Sequence, residues 1–493
     1  MTTPLSFSNR YVKLPARFYS PQAPEPVSEP GPIRSNTALA EFLGIDAGWL
    51  SSAEGVATIA GNHLPEGAEP IATVYAGHQF GNWNPQLGDG RAVLLGEVVA
   101  RDGRHYDVQL KGSGRTPYSR GGDGRAPLGP VLREYIVSEA MHALGVPTTR
   151  SLAAVTTGDP VYRDEMLPGG VLARVARSHI RFGTFQFFSA REDREALERL
   201  VAFCLERHYP AQAGSSNGAL ALLTQVIAAQ AALVAQWQNL GFIHGVMNTD
   251  NMLVGAETID YGPCAFMDSF NPAQVYSSID HAGRYAYENQ PGITHWNLAC
   301  FAQTLLPLLD DDADVAVQQA QAALDRFPQL FLDAHQRFMG HKLGMTLSGE
   351  DDETLVQDLL AIMAESGADF TLTFRALTDA VAKANPDHVG VGDIFTLPAT
   401  FDDWLRRWEA RAAEEMRDPA QRLQHMLTAN PVYIPRNHQV EACIRAAEDD
   451  NDFRVFHALV ERLASPFRYD PADQAYALPP RPEQVVRQTF CGT

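Results

Sequence analysis

The apolar positions of this chain follow two periods in turn. Residues 92–99 (Ala-Val-Leu-Leu-Gly-Glu-Val-Val) and 105–110 (His-Tyr-Asp-Val-Gln-Leu) are short apolar-rich runs around Arg101-Asp102-Gly103-Arg104, which predicts a β-hairpin. Strand-like, glycine-punctuated text runs from about Ile71 to Phe188, interrupted by one helix. There Val131, Leu132, Tyr135, Ile136, Ala140, Met141 and Leu144 recur at helical spacing behind Pro130, placed at the first helical position, until Gly145 and Pro147 end the run. From Arg191 onward the period becomes mostly helical. Residues 195–209, 219–240, 296–309, 315–345, 353–365 and 401–416 all read as amphipathic helices. The exception is a short pattern over Met252–Asp260, which predicts a hairpin carrying polar residues between helices. Upstream of all this, Pro21, Pro24, Pro26, Pro30 and Pro32 exclude helix and central strand and predict an arm wrapped over the body.

A small β-rich lobe followed by a large helical lobe, with polar residues at the junction, predicts an α+β, bilobal, protein-kinase-like fold. The expected divisions are an arm and the start of the N-lobe (1–70), the N-lobe with glycine-rich loops and one helix (71–190), a helical C-lobe (191–425) and a helical C-terminal extension with tail (426–493). The formal charge of −20 argues against broad nucleic-acid or anionic-membrane binding, so any anion site must be local. Lysine occurs only at Lys13, Lys111, Lys342 and Lys383, which makes the one in a glycine-rich stretch informative. Cys204, Cys264, Cys300, Cys443 and Cys491 are scattered without metal spacing, which fits a reducing compartment. The apolar stretch Ala219–Ala235 contains Gln225 and Gln230 and reads as a buried helix. The N-terminal residues show no targeting pattern, and a cytoplasmic monomer is expected.

The strongest chemical signal is His244-Gly245-Val246-Met247-Asn248-Thr249-Asp250-Asn251, followed nine residues after Asn251 by Asp260-Tyr261-Gly262. Kinase-fold enzymes use H-R-D-x-x-x-x-N and then D-F-G, in which the first Asp takes the acceptor proton while Asn and the second Asp bind Mg²⁺. Val246 stands where that first Asp should be, and a carboxylate reappears at Asp250. Either the site is a dead pseudokinase or Asp250 has become the base; alone, the segment would also pass for an Asn/Asp-rich turn. Gly88-Asp89-Gly90-Arg91 and the run from Lys111 through Gly112, Gly114, Asp123 and Gly124 to Arg125 supply backbone N–H groups and charge suited to phosphates. A mobile glycine loop is the plainer alternative. Glu134, 23 residues beyond Lys111, could pair with it, and Glu139 competes for that role. On a strand from Val171, Arg174 and Arg177 would face opposite ways and do different work; Arg181 follows close by.

Taken together, Tyr75-Ala76-Gly77-His78-Gln79-Phe80-Gly81, Leu87–Arg91, Gln109–Gly114, His244–Asn251, Asp260–Pro263 and Asn430–Pro435 resemble the selenoprotein O family, protein adenylyltransferases with a protein-kinase-like fold. The resemblance runs along nearly the whole chain. It implies transfer of AMP from ATP to Ser, Thr or Tyr hydroxyls of proteins, with ATP flipped relative to a kinase so that pyrophosphate leaves. It further implies that Lys111, Arg174 and Arg181 hold phosphates, Glu134 orients Lys111, and Gly88, Gly90, Arg91, Asp123 and Gly124 complete the nucleotide site. Asn251 and Asp260 would hold Mg²⁺ or Mn²⁺, and Asp250 would accept the hydroxyl proton. Family members often carry selenocysteine or cysteine near the C-terminus, where this chain has Cys491; serines near Tyr276-Ser277-Ser278 put a redox lock in doubt. An ordinary kinase using Asp250 and an inactive nucleotide-binding scaffold are the rival readings.

Overall fold

In the computed structural model, which describes residues 5–382, 389–392, 394–415 and 418–486, the strand-like first third forms an antiparallel sheet. In chain order the strands are β1 (Tyr19–Pro21), β2 (Gly31–Ser35), β3 (Ile71–Thr73), β4 (Gly77–Gln79), β5 (Asn82–Asn84), β6 (Ala92–Val99), β7 (His105–Lys111), β8 (Ala126–Pro127), β9 (Arg150–Tyr162), β10 (Met166–Ala176), β11 (Phe242–Ile243) and β12 (Ala265–Phe266). The main sheet runs β1-β3-β6-β7-β10-β9-β2, with β8 added on β10. The expected hairpin is β6–β7, with Ala92 opposite Lys111 and Val99 opposite His105. The proline-rich arm supplies both sheet edges, Pro21 in β1 and Pro32 in β2. At an edge a missing N–H need not cost a ladder bond, which is why prolines survive there.

The helices are α1 (Thr37–Leu43), α2 (Ala47–Leu50), α3 (Ala53–Ala60), α4 (Leu128–Ala143), α5 (Phe182–Ser189), α6 (Arg194–His208), α7 (Gly218–Leu240), α8 (Gln290–Leu309), α9 (Ala313–Leu324), α10 (Phe327–Leu343), α11 (Glu350–Ser366), α12 (Phe370–Ala382), α13 (Asp402–Glu414), α14 (Pro419–Ala429), α15 (Asn437–Asp450) and α16 (Arg454–Leu463). Leu39, Leu43, Leu50 and Ile59 of α1–α3 pack with Leu95, Val108, Leu110, Val171 and Val175 of the sheet. Leu132, Tyr135 and Ile136 of α4 pack with Leu172 and Ala154, and Val440, Ile444, Phe456 and Leu459 of α15 and α16 join that cluster. The C-terminal extension therefore braces the helix that carries Glu134. Fully burying each such aliphatic side chain stabilises by roughly 1.5–3 kcal/mol, so α4 is held firmly against the sheet. The whole is a mixed α/β protein, with an antiparallel N-terminal sheet and a large helical C-terminal region.

Several expectations need correction. Helix α4 begins at Leu128, so Pro130 is its third residue, still in the first turn where an N–H has no intrahelical acceptor. Phe182–Ser189, inside the text read as strand, is helix α5. Its aromatics mimic a strand pattern, but Phe182 and Phe185 both meet Phe301 of α8, with ring centroids 4.7 and 5.0 Å apart. The single helix expected over 315–345 breaks after Leu324, and Pro328 sits in the first turn of α10. Helix α8 starts at Gln290, six residues before the expected Trp296. Most consequential, residues 252–260 do not form a hairpin. Met252 O accepts from Phe182 N (2.9 Å) and Val254 N donates to Ile180 O (3.0 Å), while Thr258 N donates to Pro147 O (2.9 Å). The two legs pair with different partners, leaving no ladder between them.

Helix α7 is long and apolar enough to cross a bilayer by length and composition, yet Leu222, Leu223, Val226, Ile227 and Ala231 lie in the main core against α6 and α8. Lys383, Met416 and Cys491 with its tail lie outside the described residues.

Candidate active site

Lys111 ends β7, and Leu172 of the adjoining strand lies opposite it, so Arg174, two residues further along β10, projects from the same face. That face looks toward α4, whose Glu134 is buried. Lys111 Nζ lies 2.5 Å from Glu134 Oε2, and Arg174 Nε donates to Glu134 Oε1 at 2.7 Å. Glu139 is elsewhere, bonded to Arg150 and Asn36. Arg177 also goes its own way, donating to the Gly255 carbonyl and, through its backbone, to Glu257.

Asp260 meets this pair from the C-terminal side. Its Oδ1 accepts from Arg174 (2.7 Å) and lies 3.4 Å from Lys111, and its Oδ2 accepts from Arg181 (2.7 Å). Asp260 holds a left-handed backbone at φ 62°, a strained conformation typical of functional sites. Three cations thus face two carboxylates in one buried cluster. Burial pushes the Asp260 carboxyl up, but Arg174, Arg181 and Lys111 outweigh it and hold it well below the usual carboxylate range. Burial likewise opposes ionisation of Glu134, and Arg174 with Lys111 holds it low. Burial lowers Lys111 despite Glu134.

Asp250 stands in the turn Thr249–Asn251. Its Oδ2 accepts from Gln79 Nε2 at 3.0 Å, while the buried Oδ1 has no hydrogen-bond partner. Burial pushes its carboxyl up to about 6, with Gln79 and Arg181 opposing. Gly77 permits this packing, because a Cβ there would stand 2.5 Å from Asp250 Oδ1. Arg181 also donates to the Asp250 backbone carbonyl, tying the turn to Asp260. Val246 is buried and offers only backbone: its carbonyl accepts from Asn251 Nδ2 at 2.9 Å. His244 Nε2 bonds to the Ile259 carbonyl at 2.8 Å, fixing the start of the His244–Asn251 segment beside Asp260.

The glycine-rich segments lie against each other. Thr116 Oγ1 donates to the Asp89 carbonyl (2.6 Å) and Gly112 N to the Arg91 carbonyl (2.7 Å). At Gly88, with φ 113°, a Cβ would stand 2.5 Å from the Tyr118 ring, and at Gly90 it would stand 2.8 Å from the Tyr118 carbonyl. At Gly124 it would stand 2.0 Å from the Gly114 carbonyl, so all three positions require glycine for loop packing. The charge of Arg91 is felt at Lys111. Asp123 pairs with Arg163, which holds its carboxylate at 2.9 and 3.1 Å.

Hard oxygen donors suited to Mg²⁺ or Mn²⁺ are present in the Asp260 carboxylate and the Asn251 side-chain oxygen, whose amide nitrogen is already engaged by Val246. Among the described residues no group of three His, Cys, Asp or Glu side chains could hold an ion unaided. Such a donor set fits a Mg²⁺ ion that takes its remaining ligands from water and substrate phosphates.

Sequence reasoning gave no individual role to Gln79, Asn248, Thr249 or Tyr75. His78 N donates to Thr249 Oγ1 (2.7 Å), Phe80 N to Asn248 Oδ1 (3.0 Å), and the Tyr75 ring lies 4.8 Å from the Arg181 guanidinium. The signal was the polar Gln79 inside a glycine-bounded segment, whose partner Asp250 lies 171 residues away.

The model of the family described as "Protein adenylyltransferase SelO" matches residues 2–464. A protein of Rhodopseudomonas palustris strain BisB5, named protein nucleotidyltransferase YdiU, is 57% identical over the full length of both chains. Its namesake in Bradyrhizobium diazoefficiens is 55% identical, again over both full lengths. With these matches and the clustered Lys111, Glu134, Arg174, Arg181 and Asp260, the chain belongs to the SelO family of protein adenylyltransferases.

Proposed function

We propose that this chain transfers AMP from ATP to a Ser, Thr or Tyr hydroxyl of another protein, on a protein-kinase-like bilobal scaffold. The observation that carries the reading is a buried cluster with three cations for two carboxylates, set beside a buried Asp250 whose Oδ1 lacks a partner. In a chain of net charge −20, that local surplus is where an anion of ATP's charge would settle.

In this reading Lys111, Arg174 and Arg181 bind the β- and γ-phosphates, and Glu134 keeps Lys111 in place. Gly88, Gly90, Arg91, Asp123 and Gly124 form the loops around the nucleotide. Asn251 and Asp260 would hold Mg²⁺ or Mn²⁺, which supplies charge neutralisation at the phosphates when bound. The acceptor oxygen attacks the α-phosphorus, the bond to the α–β bridging oxygen breaks, and pyrophosphate leaves with the electron pair. The hydroxyl proton passes to Asp250. Positioning and fixed positive charge, rather than covalent chemistry by the protein, carry the rate. The buried thiols of Cys204, Cys264, Cys300 and Cys443 suit the reducing cytoplasm we assign to it.

ATP labelled at the α- or the γ-phosphate tests this directly. Label from the α-position should become protein-bound and label from the γ-position should leave with pyrophosphate. Transfer of γ-label alone would make the protein a kinase using Asp250, and ATP binding without transfer of either label would make it a pseudokinase scaffold. Asp250→Asn keeps the shape of the side chain but cannot take the proton, so transfer should fall at least about a hundredfold with the melting temperature near the parent's. A fully active, normally folded Asn variant would remove Asp250 from the mechanism.

A further inference from the structure

The hairpin β4–β5 has two working faces. Its inner face carries Gly77 and Gln79 against Asp250, and its backbone is tied to Asn248 and Thr249. Both turn residues, Phe80 (φ 50°) and Gly81 (φ 82°), are left-handed, the two-residue geometry that matches strand twist. Phe80 adopts it at a steric cost, held by its bond to Asn248 and by ring contact with Tyr285 at 5.2 Å.

The outer face is aromatic and cationic. The His78 ring lies 4.9 Å from Trp83 and 5.3 Å from Trp296. Trp83 is 42% exposed, an unusual position for so large an apolar ring. Arg284 lies across Trp296 at 4.7 Å and beside Gly81, half-buried. Among the described residues no carboxylate is within ion-pair distance of its guanidinium, and its Nε has no hydrogen-bond partner. The arginines of the catalytic cluster, by contrast, are all ion-paired.

We infer that this face is the docking surface for the acceptor segment of the protein substrate, and that Arg284 selects a segment with a carboxylate beside the modified hydroxyl. The inference rests on the AMP-transfer reading. One hairpin links the surface to the proposed base: its outer face carries His78 beside Trp83 and Trp296, and its inner face packs Gly77 and Gln79 on Asp250. Flat aromatic faces bind a polypeptide with little loss of side-chain entropy, and a guanidinium that touches Tyr285 and Trp296 but, among the described residues, carries no carboxylate recognises one through charge-assisted hydrogen bonds.

The test uses the full-length protein, α-labelled ATP and synthetic peptides in which one Ser, Thr or Tyr is flanked by Asp or by Lys. The parent should favour the Asp-flanked peptides about tenfold, the scale of one charge-assisted bond. Arg284→Glu should reverse that preference, and Trp83→Ala should raise the peptide KM while leaving the ATP KM unchanged. Equal labelling of both peptide sets, or an unaltered preference in Arg284→Glu, overturns the inference. So does a raised ATP KM in Trp83→Ala, which would place the nucleotide base on this face, and so does labelling of the chain itself with no peptide labelled. If the parent passes no α-label to any protein, its own chain included, the AMP-transfer reading itself has failed.

Discussion

Two clusters of buried charge are built on the same sheet. In one, Arg207 of α6 reaches Glu97 of β6 and Asp107 of β7, the latter at 2.7 Å, while Asp107 also bonds to His179 at 3.1 Å and Glu97 accepts from the backbone of Arg10 and Tyr11. In the other, Lys111, Arg174 and Arg181 surround Glu134 and Asp260. The first is closed, with side-chain exposures of 2% for Arg207, 1% for Glu97 and 7% for Asp107. The second is open at Asp260, which is 24% exposed. Their charge balance also differs in sign. Beside Arg207, burial and then Asp107 push Glu97 up from its ordinary range, while Arg207 and His179 outweigh burial at Asp107 and hold it low, so the one arginine does not serve both carboxylates. Around Asp260 the carboxyls are driven down by a surplus of it. Both clusters use the same residue types, but only the one with excess cations and a path to solvent is suited to an anionic substrate; the other fastens the N-terminal arm and α6 to the sheet.

The largest separation between the two should come from Asp260→Asn. It removes the charge facing three cations and a hard oxygen donor, so AMP transfer should drop on the order of a thousandfold, as for loss of a preorganised electrostatic group. Alanine is the poorer probe, because it also leaves a cavity among buried cations. Near-normal transfer by Asp260→Asn would erase the functional distinction drawn here.

Arg207→Ala should act the other way. It strands two buried carboxylates, and breaking such a pair costs about 3–5 kcal/mol of stability. ATP affinity of the folded fraction, measured calorimetrically below the melting transition, should match the parent. A weakened ATP affinity with an unchanged melting temperature would show that the closed cluster belongs to the site.

How much of this could be read in the sequence depended on whether the contacts were local. The β6–β7 hairpin and α4 were legible because their apolar periods and turn residues lie within a few positions of one another. Lys111, Glu134 and Asp260 stood out because residue types at motif spacing carry chemistry, Arg174 and Arg181 took their roles from the family resemblance, and the structure brings all five together. Asp123 is also bonded to Arg163, a pairing set by the approach of the β9–β10 turn that no local pattern displays. The strapping of β4–β5 onto Asn248–Asp250 was equally hidden, since its anchors come from the far side of the chain. Residues 252–260 looked like a hairpin because a turn between short apolar runs is a local signal. Their hydrogen bonds go instead to Pro147 and to the Ile180–Phe182 segment, and nothing local shows that these outcompete the hairpin ladder.

The smallest effect tests the sign of the closed cluster. The Glu257 side chain is 10% exposed beside Arg177, whose backbone N–H donates to it at 2.9 Å. Burial pushes its carboxyl up to about 7; Arg177 and Arg207 oppose this and Asp107 adds to it. An unfolded glutamate ionises near 4.3, so between that pH and about 7 the folded protein holds a proton that the unfolded chain has lost. Stability from this group is therefore full at the acid end, declines as pH rises through the interval, and is gone above it. Glu257→Gln imitates the protonated form at every pH. Melting curves at pH 5 and pH 8 should show the parent losing roughly 1–2 kcal/mol more than the Gln variant over that range, with ATP affinity the same in both proteins. A parent whose stability has the same pH dependence as the Gln variant would mean that Arg177 and Arg207 already neutralise Glu257. The closed cluster would then not be short of positive charge, and solvent access alone would distinguish it from the open one.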